Sequence, residues 1–349
     1  MYRSSGITCA LLAGLAAAPG TALAHPAAGA QVCTLGAAAV GQPGAVVCKD
    51  TRTGAITQSI EVGNTVVGPG GTGGTLSRHR GHVLVTNIAG GAVLFDEIAG
   101  RLVHPVRLQT DGESSLSGAL GDRGAYVVTP TRVLFFPRDR AAATSSAHLL
   151  VGDGSAAQIA LAGGHAYVSE KTGSLEAFAL RADGSLGAAV PVAGIPAGTI
   201  VGITGADDLV VSPVAHLASN ANQATVPVSS GSTKVQQVET KEVAACWAAS
   251  DDGEVCITNP GSMTVSCGHV GPGGFTSYTS AAASPIGESV FDLDVRDGTV
   301  GILGVHNGAR VLMMYQRAED DSDFLTAMGE LPVGTPIATG ALVLPPLSR

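Results

Sequence analysis

Among the polar residues of this sequence, Glu170, Arg78 and His79 have the types that hydrolysis of an ester-like bond requires. Glu170 or a histidine could act as general base toward water, and Arg78 or Lys171 could stabilise the developing oxyanion. Such a reaction obliges neither metal nor cofactor, and none is expected. Asn87, Lys171, His216, Asn259 and His306 each follow an apolar run, where they could bind a ligand, and Asn307, Glu113 and Trp247 could join them. Ordinary roles compete. Glu170 and Lys171 also read as a solvated loop pair, Asn87 and Asn259 as turn-capping amides, and Trp247 as packing. Arg78-His79-Arg80 is the densest cationic cluster, sufficient for a local anion site, although strand alternation would aim His79 away from both arginines.

Other chemistries lack their residues. The sequence has no Gly-x-Ser-x-Gly, His-Glu-x-x-His or phosphate-cradling Gly-x-x-x-x-Gly-Lys, and the glycine run at 70–74 has no lysine. Asp292-x-Asp294 reads as strand alternation, and the acidic run at 319–323 as a solvated turn, not as a calcium loop. With 19 Lys and Arg in 349 residues and a formal net charge of −9, the chain is not built to bind a nucleic-acid backbone.

The elements that must position these side chains follow from self-similarity. The unit is an apolar strand, a turn and a second apolar strand, clearest in HVLVTNIAGGAVLFDEIAGRL from His82, HAYVSEKTGSLEAFALRADGSL from His165 and EVCITNPGSMTVSCGHVGPGGF from Glu254. Val83, Tyr126, Ala166, Leu209, Val255 and Val300 mark equivalent positions at steps of 43, 40, 43, 46 and 45 residues, the length of four strands plus turns. An earlier strand precedes each of the last five markers and ends in Asp122-Arg123-Gly124, Ala162-Gly163-Gly164, Asp207-Asp208, Asp251-Asp252-Gly253 or Arg296-Asp297-Gly298, residues that tolerate hairpin turns. A further copy from Val32 brings the count to seven but begins at the second strand. Ile337 to Leu344 is apolar and has no unit of its own. The expected fold is therefore all-β: a seven-bladed propeller of four-stranded antiparallel blades, with strands a to d from the axis outward. The C-terminal strand supplies strand a of the first blade and closes the ring. In that register the b–c and d–a loops share one face, where the candidate site residues are expected to gather.

Residues 1–24 read as a secretory signal: Arg3, an apolar run from Ile7 to Ala18, then small residues before His25. The run is too short to span a bilayer. Residues 25–349 are then one secreted propeller domain. Cys33 and Cys48 occupy the same strand positions as Cys256 and Cys267, so two disulfides are expected in an oxidising compartment, with Cys246 a buried thiol.

The stretch from His165 to Pro285 resembles the lactonase-type seven-bladed propellers, a group that includes phosphogluconolactonase and the carboxymuconate-lactonizing enzymes. The matching segments are AYVSEKTGSLEAFALRADGSL, LVVSP and AACWAASDDGEVCITNPGSMTVS. The resemblance implies metal-independent hydrolysis or isomerisation of a small anionic lactone or sugar derivative at the central channel. The alternative is a non-catalytic secreted propeller that presents a loop face to a ligand or a protein partner.

Overall fold

The computed structural model describes residues 29–66, 74–206, 208–215, 224–229, 238–239, 242–271, 274–282, 288–317 and 325–347. The segment 1–24, His216 and the acidic run at 319–323 lie outside the described residues. Every described sheet is an antiparallel blade, and there are seven in a ring. Blade one runs Ile337–Leu344, Gln31–Ala37, Pro43–Asp50 and Ile56–Thr65 from the axis outward, so the C-terminal strand does close the ring. Blade two is Leu76–His79, His82–Ile88, Gly91–Ile98 and Arg101–Gln109. Blade three is Ser117–Gly121, Gly124–Val128, Arg132–Pro137 and Ser145–His148. Blade four is Ala156–Ala162, His165–Glu170, Ser174–Leu180 and Leu186–Pro191.

In blade five the innermost strand is split into Thr199–Ile200 and Thr204–Ala206, followed by Leu209–Ala215, Ala224–Ser229 and Val238–Glu239. The split has a local cause. Gly202 turns its amide away from its own blade and donates to Cys246 O of blade six at 2.5 Å. Blade six is Trp247–Asp251, Glu254–Asn259, Thr264–Gly271 and Gly274–Ala282, and blade seven is Ser289–Arg296, Thr299–His306, Ala309–Arg317 and Leu325–Pro332.

The a–b hairpins explain the turn chemistry of the sequence. Their central pairs Arg80-Gly81, Gly163-Gly164, Asp252-Gly253 and Asp297-Gly298 all have positive φ at both residues, as a two-residue turn needs to match strand twist. Burial follows the blade order. Among the described residues, apolar clusters fill each space between consecutive blades, from blades one and two, around Val83 and Leu342, to blades seven and one, around Leu312 and Val343; the cluster of blades six and seven also takes in Ala157 and Val201 of blades four and five. A sheet covered on both faces needs apolar side chains on both, which is why the b strands read as continuous rather than alternating apolar runs. Hydroxyls on strand b then tie it to strand a: Thr34 donates to Thr339 O at 3.0 Å, Thr86 to Thr75 O at 3.2 Å and Ser169 to Gln158 O at 3.4 Å.

Both expected disulfides form. Cys33 lies directly opposite Cys48, and Cys256 opposite Cys267, across the b–c pair of blades one and six. Cys246 is a buried thiol.

Candidate functional site

Strand b runs from the a–b hairpin at one end of the ring to the b–c hairpin at the other. This separates the three side chains expected to act together. Arg78 and His79 close the innermost strand of blade two, with His79 paired to His82 at the a–b turn. Glu170 ends strand b of blade four at the b–c turn, paired with Ser174. The expectation that Arg78 and His79 share the b–c face with Glu170 is therefore corrected: they follow the inner strand to its far end, one residue from a two-residue turn.

At the b–c end, Glu170 is fully buried. Its Oε2 accepts a hydrogen bond from Ser155 Oγ at 2.7 Å, while Oε1 is buried without a hydrogen-bond partner. Burial pushes its carboxyl up to about 7; the Ser155 bond opposes this, and the charges of Glu176 and Asp153 add to it. Burial likewise holds the Lys171 ammonium below the usual lysine range. The other residues of this end are engaged within the scaffold. Asn87, at φ 62°, donates to Thr339 Oγ1 at 3.2 Å. Asn259 donates to Thr264 Oγ1 at 3.1 Å and Ser266 Oγ at 2.7 Å, its Oδ1 remaining unpartnered. His306 meets Glu330 through Nδ1 at 2.8 Å and Asn307 through Nε2 at 2.9 Å. Glu113 accepts from Arg132 Nε at 2.9 Å. Trp247 is buried with its ring edge-on to Phe291 at 6.0 Å, packing blade six on blade seven.

At the a–b end the central channel opens into a cavity of about 430 Å³. One wall is small and apolar, including Ala119, Ala160, Ala206 and Ala249; the other is charged. Arg78 crosses the axis there. Its guanidinium donates to Val295 O at 2.7 Å and lies 3.4 Å from Asp251 and 3.5 Å from Asp294, carboxylates of blades six and seven. Asp292, two residues before Asp294 on the innermost strand of blade seven, accepts the amide of Gly74 at 3.1 Å. Burial pushes the Asp292 carboxyl up to about 7 and also raises Asp294, where the Arg78 charge opposes the rise. In the sequence Asp292-x-Asp294 reads as strand alternation alone. The useful signal was that alternation places both on one face of an innermost strand, the face turned to the neighbouring blade, where the amides of Gly74 and Val343 meet them. Among the described residues the one metal-like cluster is Glu254, Cys256 and Cys267, and its two sulfurs are already joined in a disulfide.

No protein-family model matches the sequence, and no curated protein does. Solved structures do match. A "putative 6-phosphogluconolactonase" from Bacteroides uniformis superposes with a TM-score of 0.57 at 13% identity, covering 90% of this chain and 99% of that one. AztD from Citrobacter koseri gives 0.51 at 11% identity, over 92% and 100%. The computationally designed Ika8 protein gives 0.56 at 10%, over 91% and 94%. These likenesses show the propeller fold. At such identities fold carries no function with it.

Proposed function

We propose that this protein is a binding propeller that takes a small polar ligand into the a–b mouth of its channel and does no chemistry on it. The observation that supports this is how the channel charges are held. Arg78 is fixed by Asp251, Asp294 and a backbone carbonyl, and Asp292 by backbone amides, beside an apolar wall in a cavity of small-molecule size. Groups immobilised in this way recognise a ligand at low entropic cost. Titration calorimetry of the full mature chain against aldonates, aldonolactones, amino acids and hexose phosphates tests the reading. Binding of one class, weakened by substitution of the exposed mouth residues Arg80→Ala or Asp252→Ala, is expected. A panel without any binder overturns it.

Hydrolysis of a small lactone is the second reading, and one observation favours it: the Glu170 carboxyl sits near 7 with one oxygen unpartnered, as a general base at neutral pH requires. The likeness to a protein described as a phosphogluconolactonase agrees with it at the level of fold. Its catalytic set would be Glu170 with Lys171 at the b–c end, without Arg78 or His79. Turnover of an aldonolactone in a pH-stat, abolished by Glu170→Gln, would establish hydrolysis and overturn the binding reading.

The proposal extends to location. Two disulfides suit an oxidising compartment, and among the described residues no helix is long and apolar enough to cross a membrane. N-terminal sequencing of the exported protein should begin at His25.

A further inference from the structure

We propose that the recess beside the channel mouth, between the a–b hairpins of blades two, three and four, holds the oxyanion group of the ligand, a phosphate or a carboxylate. This rests on the binding reading above and names the ligand's chemistry. The recess has a volume of about 390 Å³ and shares His79, Arg80, Leu120 and Leu161 with the channel cavity, so one molecule can occupy both.

Its charges are unequal. Arg80, Arg123 and Arg181 line it against a single carboxylate, Asp122. Asp122 is already engaged, by His79 Nε2 at 2.8 Å and by the Arg80 guanidinium at 2.7 Å. Among the described residues Arg123 makes no ion pair, and Arg181 engages Ser185 Oγ and Leu186 O through Nη1 alone, which leaves Nε and Nη2 to a ligand. Asp183, near Arg181, is bound to Ser185 and is held below its usual range chiefly by that hydroxyl. Two guanidiniums are therefore available, each with the planar fork that fits a phosphate or carboxylate.

The far side of the same mouth has the opposite sign. The a–b turns of blades five to seven carry Asp208, Asp251, Asp252 and Asp297. In a chain of net charge −9, the arginines that line the recess all stand on blades two to four, whereas carboxylates predominate at the rim of blades five to seven, where Arg296 is already paired with Glu97 and Asp297. An anionic head is drawn to one rim and repelled from the other, which fixes the direction in which a ligand enters.

Calorimetry of the full mature chain with glucose 6-phosphate, gluconate and glucose decides the matter. At least one charged probe should bind more tightly than glucose, by about tenfold, the worth of one charge-assisted contact, and added salt should weaken it. The phosphate and carboxylate arms identify which group the recess prefers. The double variant Arg123→Ala/Arg181→Ala, both exposed and away from the channel wall, should lose that preference while melting as the parent does. Equal binding of glucose and the charged probes, or charged probes bound undiminished by the double variant, overturns the anion site and leaves the binding reading standing. If none of the three binds at millimolar concentration, the anion site falls alone when another panel class binds, and together with the binding reading when none does.

Discussion

Asp294 accepts a hydrogen bond from the backbone amide of Val343 at 2.7 Å, and the two belong to different blades. Asp294 is on the innermost strand of blade seven; Val343 is on the C-terminal strand that completes blade one. On the same strand Asp292 accepts the amide of Gly74, just before blade two begins, and Arg78 of blade two lies against Asp294. The acidic pair thus clasps three blades at the place where the two ends of the chain meet. A propeller with one open seam must stabilise that seam, and here buried charge does so together with the apolar cluster of blades seven and one.

Removing the clasp should loosen the ring. Asp294→Ala leaves Val343 without its acceptor and deprives Arg78 of a carboxylate, and breaking a buried pair from one side costs roughly 3 kcal/mol. Asp294→Asn keeps an acceptor and should cost less. Urea denaturation of the three proteins tests the order. An Asp294→Ala variant as stable as the parent would mean the seam depends on apolar packing alone.

Stability should fall as pH rises from about 5 to about 8. Glu170 and Asp292 are both pushed up to about 7, in each case first by burial. Between their ordinary values and 7 the folded state holds protons that the unfolded state has released. Their contribution is therefore fully present below the ordinary carboxylate range and lost through pH 7. Glu113, Asp153 and Asp183 are held low and act in the opposite sense, losing their contribution only as pH falls below about 4. A stability maximum on the acid side of neutrality is expected, and Glu170→Gln should flatten the decline above it. The change is on the order of 2 kcal/mol for each carboxyl, readable as a shift in urea midpoint. A parent profile flat from pH 5 to 8 would refute the assignment.

The ring was legible in the sequence because the blades repeat the same physics: an apolar b strand, a tight a–b turn that has positive φ in blades two, four, six and seven, and a spacing near 43 residues. Even the seam could be inferred, since a first copy lacking strand a and a last strand lacking a blade leave one way to close. The site was less legible. Register gives the blade of a residue, but the end of the blade depends on whether it precedes an a–b or a b–c turn. Arg78 and His79 stand before Arg80-Gly81, which the steps between markers did not identify as a turn. Arg123 and Arg181 were hidden for a different reason: 58 residues apart in sequence, they meet only when blades three and four pack side by side.

The disulfides should matter more for stability than for the site. Both link strands b and c within a blade, closing sequence separations of 15 and 11 residues. Loops of that size are worth about 3 kcal/mol by chain entropy. Cys256→Ala/Cys267→Ala should therefore melt earlier yet bind the same ligands. Cys246, buried at 0% exposure, should resist alkylation by iodoacetamide until denaturant is added, as mass spectrometry will show. Alkylation of Cys246 in the native protein would mean that blades five and six part readily.

The inner strands of blades four and five approach each other closely. Gly205 lies on the innermost strand of blade five, lining the channel, and a Cβ there would collide with the carbonyl oxygen of Leu161 on blade four. Backbone cannot yield as a flexible side chain can, so Gly205→Ala must push the two inner strands apart. Overpacking of this kind costs roughly 1–3 kcal/mol. Its effect should also reach the ligand, because Leu161 lines both the channel and the cationic recess. Gly90→Ala serves as the control: it sits at a b–c turn where an added Cβ meets nothing within 4 Å. Its cost comes from its φ of 69° alone, without any change at the channel. Gly205→Ala should lower both the melting temperature and the affinity, Gly90→Ala the melting temperature only. Equal effects of the two variants on affinity would show that ligand binding is insensitive to the spacing of blades four and five, contrary to a site built on their inner strands.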